Sequence, residues 1–236
     1  MRRALLLTLV VLALPVQALE LKPFSASYTA DWKQVPVSGT AERSLEKLDG
    51  DRWQLDFEAS MLVASFNERS QFTVEGETLL PQSYRLKRSG LGKGKSIKQT
   101  FDWANRQVVG EDRGKPVQLP LNRGLLDKST YQIALQQDVA DGQRSMSYQV
   151  VDGDEIETYD FRVLGEEVVN TRAGQVDAIK VERVRDPTQT KRQTILWFAK
   201  DWDHLLVRLH QIETDGKEYQ IMLQSGSVGG KPVKGD

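Results

Sequence analysis

Residues 192–224, RQTILWFAKDWDHLLVRLHQIETDGKEYQIMLQ, hold three apolar runs separated by two turn signals. In the first run Thr194, Leu196 and Phe198 alternate with Ile195, Trp197 and Ala199, so both faces carry apolar groups, the mark of a strand covered on two sides. Asp201-Trp202-Asp203 breaks the pattern. In the second run Leu205, Val207 and Leu209 oppose Leu206, Arg208, His210 and Ile212. Asp215-Gly216 is a hairpin signal, and Tyr219, Ile221 and Leu223 then oppose Glu218, Gln220, Met222 and Gln224. The stretch predicts a three-stranded antiparallel meander.

The same period of two runs through the chain. Phe24, Ala26, Tyr28, Ala30 and Trp32 alternate strictly with polar residues, a strand with one dry face and one wet face. A second run over 37–47 ends at a turn, Leu48-Asp49-Gly50-Asp51. Trp53, Leu55, Phe57, Ala59, Met61 and Val63 follow, and from Ala59 to Phe66 both faces are apolar. Further strands are expected over 68–75, from Tyr84 and Leu86 into a glycine- and lysine-rich loop at 88–95, over 97–103, and as a short pair at 107–109 and 117–119. Leu80-Pro81 reads as a corner. One helix is expected over 127–140, capped by Asp127 or Ser129, with Tyr131, Ala134, Leu135 and Val139 on one side and Asp141-Gly142 as its stop. Strands resume at 146–150, turn at Asp152-Gly153, and continue over 156–164 and 176–184. The expected class is mostly β: an antiparallel curved sheet or half barrel of about a dozen strands with one covering α-helix. Such an order excludes folds built on parallel crossovers.

The N-terminus has a separate meaning. Arg2-Arg3, the apolar run 4–14, Pro15 and Val16-Gln17-Ala18 form a secretory signal peptide, residues 1–18, with cleavage expected after Ala18. That run is far shorter than the roughly 20 residues of a spanning helix, and no later segment approaches that length, so no transmembrane segment is expected. Residues 19–224 are expected to be a single β-rich domain, and 225–236, rich in glycine and lysine, a flexible tail. Export places the protein in the periplasm. Without Arg2 and Arg3 the chain carries 33 acidic and 30 basic side chains, a balance that gives no field for nucleic acid. The absence of cysteine excludes disulfides, thiol catalysis, thiolate metal sites and a lipoprotein anchor.

Several short pieces in order resemble a known family. These are Phe24-x-Ala-x-Tyr28, Leu80-Pro81 followed by Tyr84, Asp127-x-Ser-x-x-Gln132, Thr171-x-x-Gly174 with Ala178, and Leu196-Trp-Phe-Ala-x-Asp201 leading to Leu206-Val-Arg208. Together they resemble the bacterial domain-of-unknown-function family 3108. The resemblance implies an exported envelope protein and, more remotely, a fold similar to the lipoprotein carriers LolA and LolB, in which a curved sheet covered by helices holds acyl chains. It carries no catalytic motif.

Candidate sites follow from residue type. Phe57, Met61, Phe66, Phe101 and Trp103 are the aromatic and apolar groups expected to line a ligand face, although a filled core uses the same types. Arg88, Lys93 and Lys95 lie where a basic loop would meet anionic head groups or an acidic partner. The run Gly90-Leu-Gly-Lys-Gly-Lys95 is one residue short of a phosphate loop and precedes a strand, not a helix. Asp201, Asp203, His204 and His210 are read as turn and surface residues: on one strand the two histidines would stand about 20 Å apart, too far for one ion. Two histidines and no nucleophile elbow give hydrolase chemistry little support. No metal or cofactor is expected. The expected function is a non-enzymatic periplasmic binding protein that presents an apolar concave face to a lipid, an acyl chain or a lipoprotein. The alternative is a scaffold with a filled core that docks another envelope protein; an enzyme would need paired carboxylates, at least one partly buried.

Overall fold

The computed structural model describes residues 19–33, 38–62, 64–90 and 94–236. The expected signal peptide, Val63 and Lys93 lie outside them.

The first half of the chain is β1 (Phe24–Trp32), β2 (Ser38–Lys47), β3 (Arg52–Met61), β4 (Ala64–Glu75), β5 (Thr78–Gly90), β6 (Lys95–Asp102), β7 (Gln107–Asp112) and β8 (Lys115–Pro120). A short β9 (Leu125–Asp127) leads into α1 (Thr130–Ala140). Then come β10 (Ser145–Asp152), β11 (Glu155–Thr171), β12 (Gly174–Val184), β13 (Gln193–Ala199), β14 (Leu206–Ile212), β15 (Glu218–Val228) and β16 (Lys231–Pro232). All sixteen strands join one sheet, in the order β8 to β1, then β15 back to β9, with β16 added on β15.

Sequence neighbours pair because tight turns join them, as at Gly50, Gly153 and Gly216, each with positive φ. Two connections are non-local. The seam β1–β15 joins the two halves antiparallel, from Phe24 opposite Val228 to Trp32 opposite Tyr219. The β9–β10 pair is parallel, and α1 is the crossover that a parallel pair requires. This pair is the exception to the antiparallel expectation, and the strand count exceeds the expected dozen. The two strands that no apolar run announces are β9 and β16, of three and two residues, too short to show a period.

The sheet curls on itself without closing. At one end β9 lies over the middle of the first half, where Ser70 Oγ of β4 donates to Asp127 Oδ2 at 2.6 Å. Nearby, Gln99 Nε2 of β6 donates to the Gly153 carbonyl in the β10–β11 turn at 2.7 Å. α1 buries Ile133, Leu135 and Val139 inside the curl. Leu135 and Val139 pack on Met146, Val150, Phe161, Val181, Leu196 and Phe198. At the other end β8 is the outer strand, and its six residues include Pro116 and Pro120.

Two further expectations change. Leu80-Pro81 is no corner: both lie within β5, and Pro81 sits opposite Phe72 at a bulge, where a residue without an N–H is tolerated. The C-terminal tail is docked, not flexible. Val233 is buried, Gly235 N–H donates to the Ala173 carbonyl at 2.7 Å, and Asp236 and Gln175 exchange two backbone hydrogen bonds of 3.0 Å. Glycine enrichment there serves close approach, because a Cβ on Gly235 would lie 2.3 Å from the Gln175 carbonyl oxygen.

Candidate binding face

Strand register maps the concave face row by row, since residues directly opposite one another point to the same side. One row reads Phe24, Leu45, Leu55, Ser70, Tyr84 and Gln99 across β1 to β6, and every member is buried. The adjacent row reads Ala26, Arg43, Phe57, Glu68, Leu86 and Ile97; here Phe57 is half-buried and the rest are buried. In the third row Tyr28 and Ala41 are buried, Ala59, Phe66 and Lys95 half-buried, and Arg88 exposed. The face is therefore dry at one end and partly open at the other.

The open end gathers three of the five predicted apolar residues. The rings of Phe57 and Phe66 meet edge to face at 5.7 Å. Met61 closes β3 beside them and crosses Gly39, where a Cβ would lie 2.6 Å from Met61 Cγ. Phe101 is buried in a cluster with Tyr84, Ile97, Val108 and Leu121, against which Phe66 packs from the open end. Trp103 also belongs to that region, its Nε1 donating to the Pro81 carbonyl at 2.7 Å. Of the basic residues, Arg88 stands opposite Phe66, so it rims the open end. Lys95 turns toward a separate cleft of about 290 Å³ shared with Asp112, Asp152, Asp154 and Glu157.

Beneath the open end lies a buried polar group that the sequence reading did not single out. Asp127 Oδ1 accepts from the backbone N–H groups of Ser129 and Thr130 at 2.7 and 2.8 Å, capping α1, while Oδ2 takes the Ser70 hydroxyl. Burial nonetheless pushes its pKa up to about 6. Glu68 accepts from the Tyr84 hydroxyl at 2.5 Å and from Ser129, yet burial pushes it up to about 7. Arg43 is 3% exposed, with its guanidinium 4.9 Å from the centre of the Phe24 ring and facing Tyr28, Tyr131 and Glu68. Among the described residues no carboxylate lies within 4.0 Å of it, and its Nη1 has no hydrogen-bond partner. A signal for these residues existed: Arg43 stands in phase with Ala41 and Leu45, and Glu68 in phase with Phe66 and Phe72, so each occupies a core position of its strand.

Two carboxylates, Glu68 and Asp127, are buried among the described residues, and both make hydrogen bonds within the fold. Asp127 caps the helix and fastens β9 to β4, and Glu68 receives two hydroxyls. Asp201 to His204 form the expected turn, with Asp203 and His204 at φ 52° and 53°, and His210 Nε2 lies 3.2 Å from Glu218. No group of three or more metal-ligating side chains is clustered among the described residues. Nor does any described helix have the length and apolarity to cross a membrane.

The family profile described as "Protein of unknown function (DUF3108)" matches residues 27–224. No curated protein matches the chain. Among solved structures it is similar to the beta-barrel-like protein of domain of unknown function DUF1849 from Brucella abortus. The likeness has a TM-score of 0.59 at 9% identity and covers 89% of this chain and 99% of that one. At that identity it concerns the fold alone.

Proposed function

The chain belongs to the family of proteins of unknown function DUF3108, and from that premise we propose that it is a non-enzymatic periplasmic binding protein whose concave face takes a lipid, an acyl chain or the acyl part of a lipoprotein. The observation that carries this reading is the gradient along one sheet face, buried at the Leu45–Leu55 row and half-buried at Phe57, Phe66 and Met61. Two phenylalanines in contact that stay partly wet suit a face that another molecule covers. Covering roughly 200 Å² of such surface contributes about 5 kcal/mol. Association costs about 4–15 kcal/mol, so apolar contact alone gives weak binding and a polar anchor is needed for more.

The test is native mass spectrometry of the mature protein purified from the periplasm of its own cell, followed by solvent extraction. A bound mass that extracts as lipid, lost in Phe57→Asp with an unchanged circular-dichroism spectrum, is the expected result. A clean apoprotein that takes up no acyl chain on addition would overturn it and leave the scaffold reading, with cross-linking as the next step.

A further inference from the structure

Inside the curl is a buried cation with no carboxylate within 4.0 Å among the described residues. Arginine keeps its charge at any pH the protein meets. Burying such a charge unpaired costs several kcal/mol, which is why buried arginines ordinarily sit against a carboxylate. Arg43 has a ring face at Phe24 and donates to the oxygen of Tyr28, whose own proton goes to the Leu206 carbonyl at 2.8 Å. Glu68 is turned instead to Tyr84 and Ser129. The guanidinium is left with a free Nη1 directly across the ladder from Phe57, and Phe57 touches Phe66. Tyr131 of α1, half-buried, is also near it. A buried guanidinium with an unserved Nη1 and no carboxylate within 4.0 Å thus lies next to the partly open apolar surface.

We propose that Arg43 is the head-group anchor of this site and that the ligand is a long-chain carboxylate, its chain on Phe57, Phe66 and Met61 and its carboxylate on the Arg43 guanidinium. The inference rests on the binding reading above and sharpens it to one chemical class. The planar guanidinium suits a planar carboxylate, and the ligand's charge offsets one that the fold leaves without a carboxylate beside it. A neutral amphiphile of the same length gains the apolar contacts and only an uncharged acceptor's hydrogen bond from Arg43.

Head-group and chain contributions separate in one set of titrations on the mature protein, by calorimetry with dodecanoate, methyl dodecanoate and 1-dodecanol. A charge-assisted hydrogen bond contributes about 1.5–3 kcal/mol. Dodecanoate is therefore expected to bind roughly ten- to a hundred-fold more tightly than the ester or the alcohol. Arg43→Met is expected to lower dodecanoate binding to about that of the alcohol, abolishing the preference for the acid. The wild-type ligand series needs no variant, so a failure of Arg43→Met to fold leaves the test intact; Arg43→Lys, which keeps the charge, should retain part of the preference. Equal binding of all three ligands would overturn the anchor and keep the apolar site. Tighter binding of dodecyl phosphate than of dodecanoate would overturn the carboxylate in favour of a phosphate head. Binding of none would overturn both the anchor and the function proposed above.

Discussion

At the scale of single residues the interior holds acids whose protonation is set by burial. Glu68, pushed up to about 7, and Asp127, pushed up to about 6, both sit above their ordinary values near 4. An acid with a raised pKa in the folded state stabilises the fold fully below its unfolded value and loses that contribution as pH rises through the folded one. Stability is thus expected to fall between about pH 4.5 and 7. Glu68→Gln keeps an acceptor for Tyr84 and removes the titration. Its thermal midpoint should exceed the wild-type value by several degrees at pH 8 and match it near pH 4.5, an effect of roughly 3 kcal/mol. A variant with an unchanged pH slope in thermal melts would place the titration elsewhere. Asp127→Ala removes the helix cap and the tie to Ser70 together and should cost about 2–4 kcal/mol in urea denaturation.

At the scale of elements, much was legible because a half-buried strand writes its two faces into the sequence. Phe24 to Trp32 and Trp53 to Met61 are read directly from alternation, and Asp49-Gly50, Asp152-Gly153 and Asp215-Gly216 mark turns as expected. The misreadings come from residues whose usual meaning is overruled by tertiary pairing. Pro81 tolerates its strand because β5 bulges there, and Gly235 permits backbone contacts with 173–175. That Phe57, Met61 and Phe66 stay partly exposed while Phe101 is buried depends on curvature, which periodicity does not encode. Removal of 231–236 tests the docked end: it loses Val233 from the core and three backbone bonds at Gly235 and Asp236. It should lower unfolding stability by roughly 2–4 kcal/mol, whereas a flexible end would be cut without effect.

At the scale of the molecule, the β1–β15 seam joins strands about 200 positions apart, in contrast to the hairpins on either side. Gly226 lies in it opposite Ala26, where an added Cβ would come 2.9 Å from the Ser25 carbonyl oxygen. Gly226→Val should therefore cost about 1–3 kcal/mol and broaden the thermal transition as the two halves uncouple. A sheet that curls without closing also keeps two ends. The β9 end is covered by the fold itself, but β8 presents its outer side to whatever drifts past. Pro116 and Pro120 take two amide donors out of its six residues, so a passing strand finds little to pair with. A molecule this rich in ribbon can thus remain a solitary one in a crowded compartment.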